Sequence, residues 1–450
     1  MAALERGFLP HTEKDVADML AAIGLGSLDE LFAPVPAEVR LGRPLDLPPA
    51  LSEPELAAHL EALAAANRAD LTCFAGGGAY DHHVPAAVRA LAFRAEFATS
   101  YTPYQPELSQ GVLQALWEFQ THICELFGME VANASLYDGA AAVAEAANLA
   151  VRATGRSRLV VGATVHPHHR ALLSTYTSGL ELRIDEAPLE TDGTVDWTAC
   201  DLAGAACAIL QYPNFFGRLE DVRAAAEAVH ANGGLLVVSA DPTAMGVLEA
   251  PGALGADVVV GEGQGLGNAL SYGGPYVGLF ATTKELIRQV PGRIAGETVD
   301  ADGRRAFTLT LRGREQDIRR AKATSNVCTN QTLMAIACAV HLSWLGPAGL
   351  ARLGEVCLQR TARAAAVLGA LPGCSLRFDG PRFKEFVLAT PMPGEVLRDR
   401  LAARGFLVGP PLGLYYPELD DCVLVAVTEK RSEDDIGALA EALEKELTET

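Results

Sequence analysis

Asp241 closes the apolar run Gly234–Ala240. A carboxylate placed there either caps the helix that follows or points into a ligand crevice. Two other polar stretches sit at comparable places. Ser135-Leu136-Tyr137-Asp138-Gly139 precedes an alanine-rich run, where a helix N-terminus could hold an anion, and Gly162–His169 follows another apolar run. Amines able to attack a carbonyl are Lys14, Lys284, Lys322, Lys384, Lys430 and Lys445, and none lies between Val258 and Leu270. Histidines cluster at His82-His83 and His166-Pro167-His168-His169. Neighbouring histidines on a turning segment point different ways, and no carboxylate stands at helical ligand spacing, so no metal site is expected. The nine cysteines are odd in number, scattered and without a CxxC pair. That excludes a disulfide framework or zinc ribbon and suits reduced thiols in a cytoplasmic protein.

Other ligand classes fall away on composition. A P-loop needs Gly-Lys, which the chain does not contain, and the Gly261–Gly267 stretch misses the GxGxxG spacing. Lys plus Arg number 36 against 56 Asp plus Glu, a net charge of −20, with no basic patch to attract nucleic acid. No run of eighteen uninterrupted apolar residues suggests a membrane span, and the opening MAALERGFLPHTEKD is charged where a secretion signal is apolar. With 49% apolar and 20% charged residues, the chain has ample material for a core. At 450 residues, against a prior of ~150 per domain, a large domain and at least one smaller one are expected.

The elements that must position these groups follow from periodicity. Residues 1–70 read as a helical arm, with helices over Glu13–Ile23 and Glu53–Ala65 separated by a proline-bearing stretch. Such an arm wraps a neighbour or covers a domain edge. Residues 71–335 read as a large α/β domain. Its helices are expected over Gln110–Leu126, Gly139–Ala153 and Leu219–Ala231, and its strands over Arg158–Gly162, Ala206–Gln211, Leu235–Ala240 and Val258–Val260. Alternation of this kind is the mark of a doubly wound, parallel-rich sheet. Residues 336–450 read as a small α/β domain, with helices over Arg352–Leu368, Gly394–Arg404 and Glu433–Leu447 and strands over Phe386–Ala389 and Cys422–Val427.

In such sheets ligands lie beyond the carboxyl ends of the strands. In pyridoxal phosphate (PLP) enzymes of the aspartate-aminotransferase fold, an aspartate at the place of Asp241 pairs with the ring nitrogen and keeps it protonated. The His166 segment would supply the group stacked on the ring, and Ser135 to Gly139 the phosphate site; each also has a plain capping or turn reading. The imine lysine then belongs on a turn after the next strand. Gln264 stands there instead, and a carboxamide nitrogen forms no imine. A chain of this fold with glutamine there cannot hold PLP covalently in its own crevice.

Longer strings make the chain recognisable. Cys73-Phe-Ala-Gly76-Gly-Gly-Ala-Tyr80-Asp81-His82, Tyr101-Thr-Pro-Tyr104-Gln105-Pro-Glu-Leu-Ser109-Gln110-Gly111, Ala132-Asn-Ala-Ser135-Leu-Tyr-Asp138-Gly139, Pro291-Gly292-Arg293 and Lys322-Ala-Thr-Ser325-Asn326-Val-Cys328-Thr329 resemble the P-protein family of the glycine cleavage system, and the likeness runs from about residue 5 to about residue 445. The length is similar to that of the family's half-size form, split over two chains, and the missing lysine matches its α chain, or subunit 1. The resemblance implies the aspartate-aminotransferase-like fold. It also implies a glycine decarboxylase (an oxidoreductase of glycine catabolism) that releases CO₂ and passes the aminomethyl group to the lipoyl arm of H-protein. The β chain would hold PLP, in an α2β2 assembly, and this chain would complete the pocket at their interface with no catalytic residue of its own.

On this resemblance Tyr101, Thr102, Tyr104, Gln105, Ser109 and Gln110 line the shared pocket, with the two phenols donating to a phosphate or carboxylate. The alternative is that both tyrosines pack in a domain interface. Ser325, Asn326 and Thr329, with Cys328, either join that pocket or cap a helix starting near Gln331; the mechanism needs no cysteine nucleophile. Ser135, Asp138, His166 and Asp241 are expected to be vestiges of a cofactor crevice. Asp241, without a ring cation, should cap the Thr243 or Ala244 amide or bond Ser239 or water. The glycines of Gly76–Gly78 permit positive φ or close approach, in a turn under the arm or against the active site. Two rival readings stand beside this one. The first is a stand-alone PLP enzyme using Lys322, although Arg314, Arg319 and Arg320 nearby suggest anion contacts; the second is a purely structural subunit.

Overall fold

The computed structural model describes residues 10–448; residues 1–9 of the expected arm and residues 449–450 lie outside the described residues. The chain divides into two compact units, Met1–Ala69 and Asp70–Thr450. In the first, helices cover Glu13–Ala22 and Glu53–Ala65. Thr12 and Asp15 form a reciprocal capping box, and the Ser52 amide donates to Glu55, which satisfies amides that a helix start leaves open. Between them only the short 3₁₀ turns Leu28–Phe32 and Ala37–Val39 are regular.

The second unit is built on a seven-stranded sheet. Its spatial order is Val131–Ala132, Gly278–Thr282, Val258–Glu262, Leu235–Ala240, Ala205–Tyr212, Arg158–Gly162 and Arg183–Ala187. The last five run parallel, and the first two are antiparallel to their neighbours. Leu236 and Val238 face one apolar cluster while Val237 faces another, so both faces of the central strands are covered. This two-sided burial is why those strands read as unbroken apolar runs. Arg183–Ala187 is an edge strand with mixed burial, and its polar sequence gave no such signal.

Several boundaries differ from expectation for local reasons. The helix expected from Leu219 starts at Val222, because Asp221 accepts from the Ala224 amide at 3.0 Å and caps it there. A hairpin, Ile294–Val299 with Arg305–Thr310, was not legible as strands. Arg352–Leu368 is the second part of the helix Thr332–Gly369, which breaks at Gly346 (φ 61°, ψ 178°) ahead of Pro347. By length and composition this helix could cross a membrane. Its residues Met334, Ala335, Cys338 and Leu342 instead pack in the core of the large sheet.

The C-terminal part carries an antiparallel sheet of Ser375–Leu376, Glu385–Ala389 and Cys422–Ala426, with helices Gly394–Ala403 and Glu433–Thr448. Thr72–Ala75 pairs in parallel with Phe406–Gly409. The glycine loop that follows Ala75 is thereby delivered from this layer to the carboxyl ends of the large sheet.

Candidate functional site

The strands Ala205–Tyr212, Leu235–Ala240 and Val258–Glu262 end at one crevice, and Asp241 lies at its floor, just past Leu235–Ala240. Its Oδ1 accepts from the Thr243 amide at 2.9 Å and the Thr243 hydroxyl at 2.7 Å, as a capping carboxylate does. Its Oδ2 meets the Nζ of Lys384 at 2.6 Å, a pairing that spacing along the chain could not reveal. Lys384 is 1% exposed. Its ammonium also donates to Thr243 Oγ1 at 3.1 Å, meets His82 Nε2 at 3.3 Å, and lies 3.5 Å from the centre of the Tyr80 ring. Three N–H donors thus find three acceptors, and the aromatic face covers the remaining side.

Because Nε2 of His82 faces an ammonium, it must be the acceptor; Nδ1 then carries the proton and donates to Glu429 Oε2 at 2.6 Å. Burial raises the Asp241 carboxyl, but the Lys384 charge and the bonds from Lys384 and Thr243 outweigh it and hold it below the usual carboxylate range. Burial also raises Glu429, and its bond to His82 reverses the sign, to about 2. His82, Cys357 and Glu429 approach one another as metal ligands could. The Lys384 ammonium against His82 and a Cys357 thiol pushed up by burial to about 12 oppose a cation there.

Lys384 reaches the crevice from a left-handed backbone (φ 62°), a conformation that costs a lysine free energy and marks an imposed orientation. The next residue, Glu385, accepts from the Gly77 amide at 2.7 Å and the Tyr80 hydroxyl at 2.9 Å. Burial, only partly offset by these bonds and by Lys384, pushes its carboxyl up to about 7. Glycines 76 to 78 allow this closeness: a Cβ on Gly76 would stand 2.3 Å from Glu385 Oε1, and Gly78 has φ +105° beside His166. The glycine loop therefore closes the crevice.

Gln264, at the turn after Val258–Glu262, is 1% exposed. Its Oε1 accepts from the Tyr80 amide at 2.8 Å, and its Nε2 donates to Tyr80 O at 3.0 Å and Asn268 O at 2.8 Å. His166 is also tied down, with Nε2 donating to Gly77 O at 2.6 Å and Nδ1 accepting from the His168 amide at 3.0 Å. Burial depresses it to about 4, so it is neutral.

At the helix Gly139–Thr154, Asp138 accepts from the Ala141 amide at 2.7 Å, and Glu262 accepts from the Gly139 amide at 3.0 Å. Glu262 also takes the amides of Gln264 and Val277, and burial raises it to about 7. What remains between Asp241, Glu262, His166, Tyr80 and Lys384 is a cavity of about 40 Å³. A single water needs ~10–15 Å³ of such space, so the cavity takes about three waters and not a substituted pyridine with a phosphate arm. The residues present do not fit PLP.

Of the four expected vestiges, His166 and Asp241 line this cavity, whereas Ser135 and Asp138 do not. The Ser135 hydroxyl accepts from Asn330 Nδ2 at 3.1 Å and the Gln331 amide at 3.2 Å, and so belongs to a second constellation. Arg293, 5% exposed, organises it by bonding Asn330 Oδ1 at 3.0 Å, Cys328 O at 2.6 Å and the Tyr104 hydroxyl at 3.3 Å. The guanidinium groups of Arg293 and Arg312 lie 5.4 and 5.2 Å from the centre of the Tyr104 ring. Tyr137 receives the Cys328 amide at 3.1 Å.

The expected pocket residues divide accordingly. Tyr104, Thr329 and Asn326 are exposed around this constellation, and Tyr101 is 85% exposed. Thr102 O accepts from the Tyr104 amide, and Gln105 O from the Leu108 amide, which shapes the loop. Ser109 precedes Gln110–Phe127 without a side-chain cap, and Ser325 bonds its own segment at the Val327 amide. Gln110 instead clamps the hairpin, bonding Phe307 N and O at 2.9 and 2.8 Å. The helix-capping alternative for 325–329 gives way to Ser135, which takes the Gln331 amide. Lys322 lies exposed in a separate basic cavity with Arg288, Arg314 and Arg319 and lines no part of the crevice. The sequence does not single out Arg293, Asn330, Lys384, Glu262 or Glu385 as site residues: Arg293 appears in it only within Pro291-Gly292-Arg293, Glu262 only within the Gly261–Gly267 stretch, and Lys384 only as one of six amines.

Residues 6–443 match the glycine cleavage system P-protein family. The "Probable glycine dehydrogenase (decarboxylating) subunit 1" of Geotalea uraniireducens is 50% identical over 440 residues, covering 97% of this chain and 99% of that one. Its namesake in Moorella thermoacetica is 48% identical, covering 97% and 98%. Among solved structures, an inhibitor-bound glycine decarboxylase (P-protein) of the glycine cleavage system superposes with a TM-score of 0.90 at 46% identity, covering 97% of this chain and 99% of that one. A sphingosine-1-phosphate lyase of Burkholderia pseudomallei shares the fold at 16% identity, with a TM-score of 0.64 over 92% and 95% of the two chains. The architecture is the aspartate-aminotransferase-like one, PLP fold type I.

Proposed function

The chain belongs to the glycine cleavage system P-protein family, and we propose that it is the α subunit of a glycine decarboxylase whose PLP is held by a β subunit. One observation carries this reading: Gln264, where an imine lysine would stand, is committed through its carboxamide to Tyr80 and Asn268. Among the described residues the crevice contains one amine, Lys384, and it is committed to Asp241, Thr243 and His82.

What this chain would add to the reaction is positioning at the shared interface. Arg293 orients the Tyr104 phenol, the Cys328 carbonyl and the Asn330 side chain, and the exposed Tyr101 offers a further donor. These neutral and cationic donors suit an anionic group presented by the β subunit, a carboxylate of glycine or a phosphate. The assembly would be α2β2, would pass the aminomethyl group to lipoylated H-protein, and would work in the cytoplasm, where free thiols persist.

Co-expression with the β chain tests this. The complex should bind one PLP per αβ pair and exchange the carboxyl of glycine with bicarbonate when H-protein is present. Borohydride should label a lysine of the partner and no peptide of this chain. A label on Lys322, or glycine turnover by this chain alone, would overturn the reading. A complex whose activity ignores every substitution around Arg293 would favour a purely structural subunit.

A further inference from the structure

We infer that the crevice is occupied by the chain itself: the Lys384 ammonium takes the place of a cofactor's ring cation at Asp241, and the Glu262 carboxyl group takes the place of its anionic group as acceptor at the Gly139 end of a helix. The crevice thus refuses PLP outright, even without a covalent bond. This goes beyond the missing imine lysine, since many sites hold a phosphorylated ring by charge alone.

The geometry supports substitution at both ends. Asp241 in this fold needs a cation; a buried carboxylate without one is costly. Lys384 supplies it at 2.6 Å and has its remaining protons taken by Thr243 and His82. The Gly139 amide, which a phosphate would otherwise accept from, bonds Glu262 at 3.0 Å, and Asp138 takes the next open amide, that of Ala141. Tyr80 lies across the ammonium, and Gln264 and Glu385 hold Tyr80 from both sides. The left-handed backbone at Lys384 shows that the chain bears a local cost to place this amine. Functionally, a subunit that leaves its own crevice open would load a reactive aldehyde where no lysine can use it. Self-occupation confines PLP to the other subunit and keeps this one folded without it.

The test uses the full-length chain alone, so its failure is separate from any failure of the decarboxylase reading, which concerns the complex. Wild type, Lys384→Ala and the double variant Asp241→Asn/Lys384→Ala are compared for thermal midpoint and for PLP retained after gel filtration. Wild type should retain none. Lys384→Ala, which strands a buried carboxylate, should melt at least about 5 °C lower, and millimolar methylammonium should restore part of that loss. The double variant strands no charge; it should recover at least half of the loss and ignore methylammonium. Stoichiometric PLP on the wild-type chain overturns the inference. So does a Lys384→Ala midpoint equal to wild type, or a double variant no more stable than the single. If Lys384→Ala does not fold, soluble recovery of the double variant supports the inference, and its loss as well overturns it.

Discussion

Gln264 and Tyr80 are joined by a two-way amide clamp, 2.8 Å from the Tyr80 amide to Oε1 and 3.0 Å from Nε2 to the Tyr80 carbonyl. The position that carries chemistry in cofactor-binding chains of this fold is thus a structural fastener here. It pins the glycine loop over the crevice mouth.

Restoring the lysine should therefore fail to restore the cofactor. Gln264→Lys breaks both bonds and buries a second ammonium near Lys384, at a cost of about 3 kcal/mol or more. Borohydride reduction with PLP, followed by peptide mass analysis, should find no pyridoxyl group at position 264. A clean stoichiometric adduct there would show that charge occupation is no barrier.

Arg293 makes three bonds from its two terminal nitrogens, Nη1 to Asn330 and Nη2 to Cys328 and Tyr104. Lysine cannot reproduce that fork. Arg293→Lys should leave the chain folded and able to join its partner, while lowering glycine–bicarbonate exchange in the complex by about tenfold or more. Gel filtration checks assembly, and exchange checks the second half.

The two tyrosines should separate. Tyr104→Phe removes the bond from Arg293, and so should lower the stability of the isolated chain by ~1 kcal/mol as well as exchange. The Tyr101 hydroxyl has no hydrogen-bond partner among the described residues, and the side chain is 85% exposed. Tyr101→Phe should therefore leave the isolated chain unchanged within ~0.5 kcal/mol and reduce exchange only in the complex. Equal stability losses for both would contradict this division.

Stability should fall as pH rises from 6.5 to 7.5. Burial sets Glu385 and Glu262 at about 7 against an ordinary 4.5, so the folded chain binds these protons more tightly than the unfolded one. Their favourable contribution is complete below pH 4.5 and is lost as pH climbs to about 7. His166 and His341, depressed by burial to about 4, act oppositely, losing stability as pH falls from 6.5 toward 4. Between pH 6.5 and 7.5 the carboxyl effect is left exposed. Glu385→Gln mimics the protonated acid, accepting from Gly77 and donating to Tyr80, with Lys384 and Asp241 unchanged nearby. Its thermal midpoint should decline less steeply than wild type over that window. An identical slope would place the titration elsewhere.

Much of the frame was legible along the chain because it depends on neighbours in sequence. Both-face burial writes Leu235–Ala240 and Ala205–Tyr212 as apolar runs, and Asp138 announces its helix by occupying a cap position. Edge strand Arg183–Ala187 and the hairpin after Ile294 lack that double burial and gave no comparable signal. The Thr243 amide that Asp241 caps is one of the four partners that the sequence left open, the others being the Ala244 amide, Ser239 and water, while the absence of an amine at Gln264 was plain from the sequence.

Pairings across long loops had no such trace. Lys384 lies on a turn of the C-terminal layer, and only the folding of that layer against the large sheet brings it to Asp241. Arg293 likewise needs three segments to meet before its purpose shows. Residue type alone decided that this chain cannot form the imine. Whether its crevice stands open or is filled was decided by charges far apart in sequence, since a buried ion is stable only where the fold supplies its partner.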